Sequence, residues 1–92
     1  MSTQKNEPMK KTEMKEIAQH NHVVGAKQIH KAFARGTVKS VFLAKNADPS
    51  ITEPLALLCR DNAIECIWVK SMADLGAACG IEVRAAAAAI VA

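Results

Sequence analysis

The sequence predicts an α/β fold, a small sandwich of helices around a mixed sheet of about four strands. Three observations point there. Two short runs rich in β-branched and aromatic residues, 38–44 and 64–69, alternate with segments whose apolar residues recur at helical spacing. Gly25, Gly36, Gly80 and an Asn46-to-Pro49 turn mark the changes of period. Finally, the chain carries no polar residue after Arg84, which suits a strand buried on both faces.

Taken in order, residues 1–11 are polar, contain Pro8 and show no periodicity, so they read as a loose tail before one domain over 12–92. Thr12 is placed to cap a short helix through Met14, Ile17 and Ala18. His22-Val23-Val24 is a brief extended piece that stops at Gly25. The clearest helix spans 26–35. At about 100° per residue, Ala26, Ile29, Ala32 and Phe33 share one face. Lys27, Lys31 and Arg35 form a cationic ridge on the other face, with Gln28 beside them, and Gly36 stops the helix.

A strand follows over 38–44, then a turn in which Asp48 bonds nearby amides. Ser50 or Thr52 opens a second helix, 53–61, with Leu55, Leu58 and Cys59 inward. Residues 64–69 form a second core strand, where Trp68 is expected to pack. Ser71 caps a third helix reaching about Ala78, and Gly80 ends it. The segment 85–92 sets two principles against each other. Alanine is the best intrinsic helix former, yet the preceding strand–helix pairs need a closing strand, and Ile90-Val91 favour one. A strand is the expectation.

The 92 residues suit one compact domain, and half of them are hydrophobic. Because 17 of these are alanine, the larger apolar side chains fill only one or two packed layers. No apolar run approaches the ~18 residues of a membrane helix. The N-terminus is polar without an apolar stretch after its lysines, so no secretory leader and a cytoplasmic location are expected. Cys59, Cys66 and Cys79 fit no zinc spacing and read as small buried hydrophobes. His20-Asn21-His22 has no cysteine or carboxylate nearby at metal spacing. Neither a phosphate-binding glycine loop nor a nucleophile elbow occurs. No metal, cofactor or catalytic residue is expected.

The net charge of +3 conceals an asymmetry. Residues 1–45 balance at +6, residues 46–92 at −3, and no carboxylate lies between His20 and Ala47. Such a half-chain suits a polyanion, through steering and counterion release. Within it stands Gly25-Ala26-Lys27-Gln28-Ile29-His30-Lys31. The amides of the first helical turn favour anionic oxygens. Lys27, Gln28 and Lys31 add three long donors, and the Gln28 amide also accepts, which suits a base edge. Arg35 and Lys39 extend the basic set. A second group is Leu75-Gly76-Ala77-Ala78-Cys79-Gly80-Ile81-Glu82-Val83. Ile81 and Val83 fall on a loop, where they either stack on an unstacked nucleobase or tuck into the core.

With Ala44-Lys45-Asn46-Ala47-Asp48-Pro49 and Leu57-Leu58-Cys59 between them, these groups resemble the L-seven-Ae family of kink-turn RNA-binding ribosomal-type proteins, over residues 23–92. The resemblance implies a three-layer α-β-α sandwich and recognition of RNA bent at tandem sheared G·A pairs. It carries the family's Gly-x-Asn-Glu-x-x-Lys pattern onto Gly25, Lys27, Gln28 and Lys31, with lysine and glutamine replacing asparagine and glutamate as in the bacterial branch. It also implies that Ile81-Glu82-Val83 packs on a flipped-out nucleotide.

The RNA-binding set expected on all grounds is Gly25, Ala26, Lys27, Gln28, Lys31, Arg35, Lys39, Ile81, Glu82 and Val83. The partner expected is structured RNA, ribosomal or messenger, with the ribosome nearby, no membrane and a monomeric protein. The alternative is a protein-interaction module whose basic face meets an acidic partner. The two part at Ile81 and Val83, which have no role in the second.

Overall fold

A computed structural model describes residues 14–92. The tail at 1–11 and the Thr12 cap lie outside the described residues. A short 3-10 helix, Met14–Gln19, leads into β1 (His22–Val24), α1 (Ala26–Arg35), β2 (Val38–Ala44), α2 (Pro49–Asp61), β3 (Glu65–Val69), α3 (Met72–Ala78) and β4 (Ala87–Val91). The sheet runs β1-β4-β2-β3. β2 and β3 are parallel, while β4 is antiparallel to both of its neighbours.

The alternation of β2 side chains builds two cores. Val41 and Leu43 join Ile29 and Ala32 of α1 and Leu55 and Cys59 of α2. Phe42 and Ala44 join Ile17, Leu75 and Cys79 on the opposite face. Helices therefore cover both faces, and the expected three-layer sandwich and mixed sheet are present. β4 lies between β1 and β2, with Ala87, Ala89 on one core and Ala88 on the other, all at 0% exposure. Both faces of this strand are covered at 87–89, so burial in the sheet overrides alanine's helical preference.

The structure differs from expectation at several places. The short helix expected through Met14, Ile17 and Ala18 is present as a 3-10 helix, one tight stretch that delivers Ile17 to the core beside Phe42. α2 starts at Pro49, ahead of Ser50 and Thr52, because Asp48 caps it: its Oδ1 accepts the Ser50 N–H at 2.9 Å, and Pro49 fits the first helical turn, where no donor is missed. Leu58 does pack inward against the core of Leu55 and Cys59, half-buried at its edge. Trp68 is 43% exposed, because β3 is an edge strand with only one neighbour.

Gly36 does end α1, at φ 71°, with its N–H on the Ala32 and Phe33 carbonyls. Ser71 caps α3, accepting the Asp74 N–H at 3.1 Å. Cys59 and Cys79 are buried and Cys66 is half-buried. Burial raises all three thiol pKa values, that of Cys59 to about 12 with Cys66 beside it.

Candidate nucleic-acid interface

Gly25 joins β1 to α1 at φ 97°, a left-handed conformation that a side chain would strain. No atom lies within 4 Å of the point a Cβ would occupy, so the glycine is needed for its backbone angle and leaves its outer side open. Its carbonyl accepts the Ile29 N–H at 3.1 Å, and its N–H donates to Ala87 O at 2.9 Å. α1 has no side-chain cap and no acid in its first turn. Among the described residues, the leading amides of the helix are thus left for an outside acceptor, and no acid in the first turn offsets the positive end of its dipole. Ile29 and Ala32 face the core, which turns Lys27, Gln28 and Lys31 to solvent. Gln28, Lys31 and Arg35 also line a groove of about 190 Å³ beside Val23 and Thr37.

The second group lies on the loop between α3 and β4. The Ile81 N–H donates to Gly76 O at 3.1 Å, and the Ala85 N–H to Met72 O at 3.0 Å. The two apolar residues divide. Ile81 is half-buried against the core of Phe42, Leu75 and Cys79, whereas Val83 is 68% exposed. Glu82 and Arg84 are exposed beside it.

Both groups occupy one end of the sheet. Gly25 follows the last residue of β1, and Ala87 opens the antiparallel β4, so the Gly25–Ala87 hydrogen bond joins the two directly. Val83 precedes Ala87 by four residues. At 3.8 Å per Cα step, it lies within about 20 Å of Gly25.

The remaining expected residues do not all reach this end. Arg35 lies about 14 Å along the α1 axis from Ala26. Lys39 belongs to the opposite end of the sheet, as the extra residue of a bulge between the Val38↔Val91 and Ser40↔Ile90 pairs. Gly25 is level with Leu43 through Ala87, and from Lys39 β2 climbs four residues, about 13 Å, to reach it. The carboxylate-free stretch of sequence counts Lys39 among the same positive charges as the ridge, which spacing along the chain cannot separate by place.

Two lysines that the sequence reading did not assign to the interface do belong to this end. Lys45 and Lys70 follow the parallel strands β2 and β3, and the Lys45 N–H donates to Val69 O at 2.9 Å. Both are exposed. The signal for them was a lysine directly after each core strand, since parallel strands deliver such residues side by side. Asn46 ties this corner to the loop's helix, its Oδ1 accepting the Met72 N–H at 2.8 Å.

This chain is similar to known proteins in sequence and in fold. An RNA-binding protein of Bacillus pumilus (strain SAFR-032) is 46% identical over 68 residues, 74% of this chain and 83% of that protein. An RNA-binding protein of Caldanaerobacter subterraneus subsp. tengcongensis is 37% identical over 76 residues, 83% of this chain and 93% of its own length. Among solved structures, the Giardia lamblia 15.5kD RNA binding protein superposes with a TM-score of 0.77 at 31% identity, covering 86% of this chain and 68% of that one. The model for the ribosomal protein L7Ae/L30e/S12e/Gadd45 family matches residues 7–92, from within the N-terminal segment to the end of the chain. A match of that extent, on an α/β sandwich that superposes on a solved RNA-binding protein at 31% identity, shows that this chain belongs to that family.

Proposed function

We propose that this protein is a non-catalytic RNA-binding protein that recognises and stabilises RNA kinked at sheared G·A pairs. The observation that carries the reading is the Gly25–Ala87 link, which holds the uncapped start of α1 and the exposed Val83 at one end of the sheet. A helix start bearing Lys27 and Gln28 suits base edges in a groove that a kink has opened. In regular A-form RNA that groove is too narrow to read. Lys31 suits the flanking phosphates, and Val83 suits the face of an extruded base. Relatives named as RNA-binding proteins support the same reading. The protein acts by preferring the bent form and so raising its population.

The protein works as a cytoplasmic monomer, on ribosomal RNA or on a structured messenger. If three to five phosphates are neutralised, log affinity falls with log salt at a slope of about −2 to −4. The test is a gel shift with a kink-turn RNA against a control whose G·A pairs are replaced by Watson–Crick pairs. Stronger binding of the kinked RNA is expected, and equal affinity for both refutes the proposal. Recovery of the protein with ribosomes in a sucrose gradient would select the ribosomal target over the messenger.

A further inference from the structure

Gly76 is buried in the middle of α3. A methyl group on its Cα would overlap the Val83 carbonyl oxygen, and would stand 3.1 Å from the Val83 carbonyl carbon and 3.2 Å from Arg84 Cα. All three are backbone atoms, so no side-chain rotation relieves the clash. The other three glycines, at 25, 36 and 80, have positive φ and open space at the same point. They serve turns. Gly76 instead has a helical backbone, where glycine is among the poorest choices, and its distinguishing use is the room it makes.

That room is taken by the loop that presents Val83. The loop is fixed to α3 at three places: Ala85 N–H on Met72 O, Ile81 N–H on Gly76 O, and the 83–84 backbone against the bare Cα of Gly76. α3 is held in turn by Ser71 and by Asn46 at its first turn. The chain of supports runs from the end of β2 through α3 to Val83, which is left 68% exposed.

We infer that Gly76 is a positioning residue of the RNA interface: by admitting the 83–84 backbone against α3, it holds Val83 pre-ordered at the height where an extruded nucleobase meets it. The inference rests on the kinked-RNA reading. An interface ordered before binding loses less conformational freedom when the ligand arrives, so the contribution of Gly76 appears in affinity although it touches no nucleotide.

The test measures binding of wild type and Gly76→Ala to two RNAs, a kink-turn and the same RNA with the extruded nucleotide made abasic. Gly76→Ala is expected to lose about tenfold on the first, within the range of one base contact, and less than about twofold on the second. Equal losses on both RNAs, or no loss on either, overturn the inference while leaving the kinked-RNA reading in place. Failure of the wild type to prefer kinked RNA over its G·A-replaced control overturns that reading instead.

The clash is checked separately by thermal unfolding. Alanine would raise the melting temperature of an unobstructed helix, so a rise in Gly76→Ala refutes the premise. If Gly76→Ala does not fold, amide hydrogen exchange on the free wild type decides. The Ile81 and Ala85 amides are expected to exchange as slowly as that of Cys79, and fast exchange at either overturns pre-ordering.

Discussion

Val83→Ala isolates the contact between the loop and an extruded base. The side chain is 68% exposed, so that share of it is available for burial by a ligand. The substitution removes two methyl groups, each contributing about 0.8 kcal/mol when fully buried. Scaled by the exposed share, the expected loss is about 1 kcal/mol, or about fivefold in Kd. The fold should not register the change, since an exposed loop substitution stays within about 0.5 kcal/mol. Calorimetric titration at one fixed salt concentration measures the loss on the kink-turn RNA, and the abasic version supplies the control. Val83→Ala and wild type should bind the abasic RNA alike. An unchanged Kd on the intact RNA refutes the assignment of Val83, and so does the same fivefold loss on both.

Lys31→Ala should weaken binding across RNA sequences and reduce the salt slope by about 0.7–0.9, whereas Lys39→Ala, at the far end of the sheet, should leave the slope unchanged. Gln28→Ala should keep the slope and narrow the preference for kinked RNA over its G·A-replaced control, as read by competition gel shift. Ser71→Ala removes the α3 cap. It should cost about 1 kcal/mol and lower the melting temperature by about 4–8 °C in a domain of this size. The buried thiols set an alkaline limit: Cys59 is raised from 9.0 to about 12, chiefly by burial. A pKa higher in the folded state means its contribution to stability is complete below about 9 and is lost as pH climbs toward about 12. The urea midpoint should therefore fall over that window, and a constant or rising midpoint contradicts the shift.

Much of the fold was legible in the sequence because its local signals agree with its packing. Gly36 and Ser71 end and begin helices as their chemistry dictates, and the α1 face of Ile29 and Ala32 is the face that is buried. Most of the discrepancies depend on what lies elsewhere in the fold, and one, the start of α2, on a local cap. Whether Trp68 is covered depends on β3 being an edge, a property of strand order. The start of α2 turned on Asp48, which the sequence had marked only as a turn residue. The division between Ile81 and Val83 follows from how the loop lies on α3. Lys39, Lys45 and Lys70 could be sorted only once strand direction was known, because a charge at a strand's start and one past its end are separated by the strand's length.

Strand direction also explains why the two groups of the proposed interface share this end. β1, β2 and β3 all finish where Gly25, Lys45 and Lys70 lie, the carboxyl ends of the strands, where open α/β sheets leave a crevice for ligands. β4 starts there instead. Its antiparallel placement between β1 and β2 brings the 80–86 loop to the same edge, opposite the start of α1. A parallel fourth strand would have delivered that loop to the far end, near Lys39, and the two groups could not grip one bend. The alanines of β4 suit the central position, because at 87–89 the strand passes between two helical layers with only methyl side chains on either face. Replacing Ala88 with leucine should therefore disturb stability first, by overpacking at about 1–3 kcal/mol, and kinked-RNA affinity with it through Ala87 and the Gly25 N–H. If Ala88→Leu keeps its melting temperature, the argument that packing selects alanine in this strand is wrong.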